Sequence, residues 1–364
     1  MIFMPVMERV IFNNYSCYFH TIYPSNNTNI IYKKSFFGII DFERERVKMI
    51  QKKKLELIST VDGLKLFANI YIPDDPKAIV HVFHGMAEHK ERYDEFCNIL
   101  ARLNCVVIIM DNRGHGESIS ENIPLGYFAD KDGWMADLKD LNALAKKIKE
   151  QYRHLPYFVI GHSMGALLAT SYLKRFEDMI SGVIFSGMPA WNKAVPMGRK
   201  LAAAMSKLNG PKNHSKTLIK AAGNYNDAIK NPRTDFDWLS YNIDNVDRYI
   251  EDPLCGFPFT NQGYLDLMDG MIDVFSNKDW RVLKKNLPIL FVSGQDDPCS
   301  DVPTGFRHSL DNLAKAGYEN IEANVYENMR HEILNERERK IVYKDILSWL
   351  DIQIKAIEES EAGN

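Results

Sequence analysis

Short apolar runs alternate with amphipathic stretches along most of this chain, and that alternation limits the folds open to it. Ala78–Phe83 reads as a buried strand, and Cys105–Met110, Tyr157–Ile160, Gly182–Ser186, Pro288–Val292 and Ile321–Tyr326 read as further strands. Arg92–Arg102, Trp134–Gln151, Met164–Phe176, Asp301–Ala316 and Ile333–Ile354 read as the helices between and after them. Ahead of the first buried run, Leu55–Thr60 and Lys65–Ile72 alternate apolar and polar residues around the turn pair Asp62-Gly63, the signature of a β-hairpin. Strands alternating with helices predict an α/β fold, with a mostly parallel sheet covered on both faces.

The alternation lapses near Met188 and resumes at Pro288. In between, Gly210-Pro211, Asn231-Pro232 and Asp252-Pro253 punctuate short helical stretches. This predicts a core of residues 55–187 and 286–356 carrying a helical cap or lid at 188–285, with a tail at 357–364. Residues 1–54 show no sustained period and turn basic at Lys48, Lys52, Lys53 and Lys54. One reading is a poorly ordered extension. The other is a start-site artefact: Glu43-Arg44-Glu45-Arg46 is what a purine-rich ribosome-binding stretch would encode if read through, and Met49 follows at once.

Composition excludes several classes. With 45% hydrophobic residues the chain can build a core without a metal or a disulfide. A net charge of −3 gives no basic surplus for nucleic acid. The apolar runs fall far short of a bilayer span, and Glu8 and Arg9 interrupt any signal-peptide core. Five cysteines without a CxxC pair suggest reduced thiols in a cytoplasmic protein.

The chemistry concentrates at Gly161-His162-Ser163-Met164-Gly165, a G-x-S-x-G pentapeptide between a predicted strand and a predicted helix. That setting puts the serine on a strained turn, its hydroxyl raised from the sheet at the positive end of the helix. A serine hydroxyl is a weak nucleophile and needs a base. His331, in a short loop after the strand Ile321–Tyr326, is the favoured base over His308, which falls within a helix. An acid must hold the histidine's tautomer. Asp296 and Asp297 both follow the strand Pro288–Val292 at the right place, and Asp301 is a weaker third choice. The oxyanion needs two backbone N–H donors. Met164, after the serine, supplies one, and Met86, in the loop His84-Gly85-Met86-Ala87-Glu88-His89, is the expected second.

These motifs, with Arg92-Tyr93 and Asp111-Asn112-Arg113-Gly114-His115-Gly116-Glu117-Ser118, resemble the α/β-hydrolase family of monoacylglycerol lipases and lysophospholipases from about Leu55 to the last helix. The resemblance implies that the acid stands three residues after a glycine, which with Gly294 points to Asp297. It also implies that the base follows a Tyr-Glu strand end, as His331 follows Tyr326-Glu327, and that the second oxyanion amide falls on Met86. Methionine at 86 is larger than the usual residue, and residues 1–54 have no counterpart. His115 reads as a structural histidine of its loop, which Asp111 and Arg113 tie to the sheet.

The expected activity is hydrolysis of single-chain lipid esters through an acyl-enzyme, with no cofactor. His84, Glu88 and His89 lack the H-E-x-x-H spacing and have no evident third ligand, so no metal is expected. Apolar cap residues (among them Met188, Trp191, Met197, Leu201, Met205, Leu208), with Met86, Met164 and Met329, suit an acyl pocket and a possible touch on a membrane surface. Two other readings stand: an aminopeptidase using cap acids Asp244, Asp247, Glu251 or Asp252 as an amine clamp, and a non-catalytic binding protein on the same fold. Haloalkane dehalogenation and epoxide hydrolysis are disfavoured, since both usually place an aspartate where Ser163 stands.

Overall fold

A computed structural model describes residues 49–221 and 225–362, with short backbone stretches at 10–12, 15–17 and 31–32. The expectations for residues 1–48 otherwise lie outside the described residues. Eight strands form the central sheet: β1 (Ile50–Ile58), β2 (Lys65–Pro73), β3 (Ala78–Phe83), β4 (Cys105–Met110), β5 (Tyr157–His162), β6 (Gly182–Ser186), β7 (Ile289–Gly294) and β8 (Ile321–Tyr326). Their order is β8-β7-β6-β5-β3-β4-β2-β1, and the two-residue strand Ile31–Tyr32 runs parallel to β8 on its outer edge. The pairs β1/β2 and β2/β4 are antiparallel; every other neighbouring pair is parallel.

Strands β3 to β7 are buried at every residue, which is why uninterrupted apolar runs marked them. One face packs under α2 (Gly133–Gln151), α3 (Met164–Phe176) and α8 (Thr304–Ala316). The other packs under α1 (Asp94–Arg102) and α9 (Arg339–Ala362).

Three boundaries correct the sequence expectations. The first strand begins at Ile50, so residues 50–54 belong to the core sheet and not to an extension. Lys52, Lys53 and Lys54 hide the alternation because they lie exposed on an edge strand, where lysines deter further pairing. Lys52 Nζ meets Glu91 at 2.9 Å and Asp94 at 2.6 Å, and Lys54 meets Glu117. The last helix starts at Arg339 rather than Ile333. Ile333 and Leu334 are buried, but in turns held by Glu336, whose carboxylate accepts the N–H groups of Arg330, Tyr241 and Asn242. That helix runs on through Ala362, so residues 357–362 form its end and no tail begins at 357.

Between β6 and β7 lie α4 (Val195–Asn209), α5 (Lys216–Ala221), α6 (Ile243–Glu251) and α7 (Asn261–Phe275), with no strand among the described residues. Thr260 caps α7, its Oγ1 accepting the Gly263 N–H at 3.0 Å. The insertion spreads over the carboxyl ends of the strands. Gly256 N–H donates to the Ala87 carbonyl after β3, and Glu332 N–H, after β8, donates to the Leu239 carbonyl.

Candidate active site

Strand β5 ends and α3 begins with one residue between them, Ser163. Its backbone lies at φ 54°, ψ −120°, a strained conformation for a residue with a side chain. The flanking glycines are sterically required. A Cβ on Gly161 would lie 2.3 Å from the Gly165 carbonyl oxygen, and one on Gly165 would lie 2.0 Å from that of Phe83. The turn is fixed by Ser163 N–H donating to Ser186 O at 2.9 Å and by Ala166 N–H donating to Ser163 O at 2.8 Å. Ser163 is half-buried at the amino end of α3.

The loop after β8 carries His331, which is buried. Its Nδ1 sits 3.1 Å from Asp297 Oδ1 and 3.0 Å from Asp297 Oδ2. Asp296 and Asp301 are both exposed, and Asp296 instead accepts the Tyr241 hydroxyl at 3.1 Å. The close approach that seats Asp297 depends on Gly294, where a Cβ would lie 2.2 Å from the Arg330 carbonyl oxygen. Asp297 Oδ1 also accepts Cys299 N–H at 2.8 Å, and Oδ2 accepts the Ser300 hydroxyl at 2.6 Å. Burial raises the Asp297 pKa, but His331 and these donors outweigh it and hold the carboxyl below its ordinary value. Burial lowers that of His331, and Asp297, with Glu332 and Glu88, overcomes this and raises it.

His331 Nε2 is buried and makes no hydrogen bond. The ring lies close to the serine turn: a Cβ on Gly187, next to the Ser186 carbonyl that Ser163 holds, would be 3.2 Å from His331 Cε1. The ring also packs between His162 and Trp238, with centroids 4.8 and 4.9 Å away. His308, the other candidate, is exposed on α8 and stacks on Phe275.

The His84–His89 loop reaches the same turn, since a Cβ on Gly85 would lie 3.2 Å from Ser163 Cβ. Glu88 braces it: one carboxylate oxygen accepts Gly85 N–H at 2.6 Å and the Tyr93 hydroxyl at 2.8 Å. His84 Nε2 accepts Asn112 N–H at 2.9 Å, so its proton resides on Nδ1 and is donated to the Gly85 carbonyl. Met86 is half-buried and Met164 buried. The roles expected of the next loop hold. Asp111 accepts the Lys90 and Glu117 N–H groups, Arg113 pairs with Asp140 at 2.7 Å, and His115 is buried against Phe128, Phe257 and Phe259.

Spacing could not reveal the network beneath the site. Arg92 donates to both carboxylate oxygens of Glu332 at 2.7 Å across 240 residues, and also pairs with Glu88. Trp238 was missed for the same reason. Among the expected pocket methionines, Met329 is buried with the core residues beneath α1 and α9.

A serine on a strand–turn–helix elbow of a sheet in this order defines a serine hydrolase of the α/β-hydrolase fold. The family described as serine aminopeptidase, S33, matches residues 74–338. The chain belongs to that family and is a serine hydrolase of the carboxylic-ester type. A monoacylglycerol lipase of Mycolicibacterium smegmatis is 28% identical over 291 residues, covering 80% of this chain and 94% of the relative. A monoglyceride lipase of Rattus norvegicus is 31% identical over 215 residues, covering 58% of this chain and 63% of its own. A Bacillus coagulans carboxyl esterase, solved with glycerol, superposes with a TM-score of 0.76 at 26% identity, over 84% of this chain and all of the esterase.

Proposed function

We propose that this enzyme hydrolyses esters of single-chain lipids, monoacylglycerols or lysophospholipids, with Ser163 as nucleophile, His331 as base and Asp297 as the acid that orients the base. The observation that carries this reading is the buried His331–Asp297 pair, with its free Nε2, beside the strained Ser163 turn. His331 Nε2 takes the hydroxyl proton as Ser163 Oγ attacks the ester carbonyl. The N–H groups of Met164 and Met86 bind the oxyanion. His331 then protonates the leaving alcohol, giving an acyl-serine, and a water deprotonated by the same nitrogen releases the fatty acid. Asp297 fixes the tautomer throughout and stabilises the imidazolium.

The helical insertion serves as the lid. Its α4 exposes Met197 (69%) and Leu208 (74%), which supports contact with a lipid surface while substrate is collected. Met188, Phe259 and Met268 are buried at the cap–core junction and support an apolar acyl site. Cys97, Cys105, Cys255 and Cys299 are free thiols, which supports a cytoplasmic setting. No described helix is long and apolar enough to cross a membrane.

The aminopeptidase reading is not favoured, since a relative matched over most of this chain is a monoacylglycerol lipase, and of the four cap acids it could use Asp247 pairs with Arg233 and Asp252 with His89. A side-by-side assay of monoacylglycerols, lysophosphatidylcholine, short aryl esters and aminoacyl anilides tests the assignment. Long-chain monoesters should be the best substrates. Faster turnover of the anilides than of every ester would overturn it.

A further inference from the structure

Where the cap meets the loop after β3, three side chains of metal-ligating type converge. His89 closes that loop, Asp252 follows α6, and Cys255 stands three residues further on. One ligating atom from each lies within 4.8 Å of the other two, and no second trio of this kind occurs among the described residues. His89 and Cys255 are buried and Asp252 is partly exposed. A cavity of about 380 Å³, bounded in part by Lys54, Lys90, Glu91, Glu117 and Leu254, reaches the trio at His89.

We propose that His89, Asp252 and Cys255 form a site for a zinc-type divalent cation that ties the cap to the oxyanion loop. A thiolate, an imidazole and a carboxylate are the donors such an ion prefers, and three protein ligands leave a fourth position for water from the cavity. Bond lengths of ~2.0–2.3 Å place neighbouring donors of a tetrahedral centre roughly 3.4 Å apart. His89 Nε2 and Asp252 Oδ2 are now 2.8 Å apart. Side-chain shifts of about 1 Å open that edge and close the others.

The backbone around the trio is already pinned. Asp252 Oδ1 accepts Leu254 N–H at 2.8 Å, which leaves Oδ2 turned to His89. Cys255 N–H donates to the Asp252 carbonyl at 3.0 Å, and the Gly256 N–H and the Tyr249 hydroxyl both reach the Ala87 carbonyl. Binding releases the Cys255 thiol proton to solvent. It also moves the His89 ring proton from Nε2 to Nδ1, so that sulfur and Nε2 both present lone pairs.

The test is a titration of chelator-stripped, full-length protein with Co²⁺, a spectroscopic substitute for Zn²⁺. One equivalent should give the visible bands of four-coordinate cobalt and a near-ultraviolet thiolate-to-cobalt band, both lost when Zn²⁺ is added. Cys255→Ser should remove the near-ultraviolet band. His89→Ala should weaken binding ~10-fold or more. Circular dichroism shows whether each variant folds; the wild-type titration decides even if His89→Ala does not. Failure of the wild type to bind cobalt, or a thiolate band that persists in Cys255→Ser, overturns the proposal.

Discussion

Replacing Asp297 by asparagine changes one atom of the proposed site and tests how the base is held. Besides the imidazole, the carboxylate receives Cys299 N–H at Oδ1 and the Ser300 hydroxyl at Oδ2, with the Ser293 hydroxyl further off at 3.4 Å from Oδ2. The backbone N–H cannot turn away, whereas the hydroxyls can rotate to accept. The new amide NH₂ therefore takes the Oδ2 position and points a hydrogen at His331 Nδ1. That favours the tautomer with the proton on Nε2, which cannot accept from Ser163. A wrong tautomer of this kind costs ~10⁴ in kcat, or about 5 kcal/mol in the barrier. The Asp297 charge also raises the His331 pKa against the lowering effect of burial. Activity requires the unprotonated ring, so it falls as pH drops through that pKa. Without the charge the pKa is lower, and the acid limb of kcat/KM moves to lower pH. Stopped-assay kinetics on an aryl ester across pH 5–9 (about the range in which histidine titrates) give both quantities. A loss of less than ~10-fold with an unmoved acid limb would refute the argument.

Other consequences follow from the surrounding packing. Gly165→Ala drives a methyl group into the Phe83 carbonyl, and should cost about 1–3 kcal/mol in urea unfolding together with most of the activity; an unchanged unfolding midpoint would contradict the steric account. Arg113→Met strands the buried Asp140 carboxylate, and also releases the exposed Asp62, and should lower stability by about 3–5 kcal/mol, read from the same curves. Burial acts to raise the Glu332 carboxyl, but Arg92 overrides it and holds the pKa at about 2, against 4.5 as its ordinary value. Its contribution is therefore complete above pH ~4.5 and is lost as pH falls toward 2. Urea midpoints measured down this range should fall, and should fall less steeply in Glu332→Gln.

Much of the core was legible because of where its strands lie. Cys105–Met110, Gly182–Ser186 and Ile321–Tyr326 match their expected bounds to the residue, as does the helix Met164–Phe176. The first two are interior strands of the sheet and buried at every residue, so apolar composition exposes them, whereas Ile321–Tyr326 near the edge mixes buried and half-buried positions. The edge strand β1 was half hidden because its lysines answer to solvent and to acids around α1, not to a core. Residues 333–338 look helical because Ile333 and Leu334 are apolar, yet Glu336 spends its carboxylate on loop amides and delays the helix. In the site, Ser163 and His331 stood out because each depends on a local strand-end context. Two adjacent aspartates could not be separated by spacing, and the bond from His331 to Asp297 separates them. Arg92 with Glu332, and His89 with Asp252, join residues too far apart in sequence for any local pattern to register.

The central claim is that the Ser163 hydroxyl is the activated nucleophile. Intact-mass analysis after treatment with a fluorophosphonate probe tests it most directly. The account predicts a single adduct mapping to Ser163, no adduct on Ser163→Ala, and loss of ester turnover in step with labelling. An adduct that survives in Ser163→Ala, or a variant that still turns over esters at the wild-type rate, would contradict it.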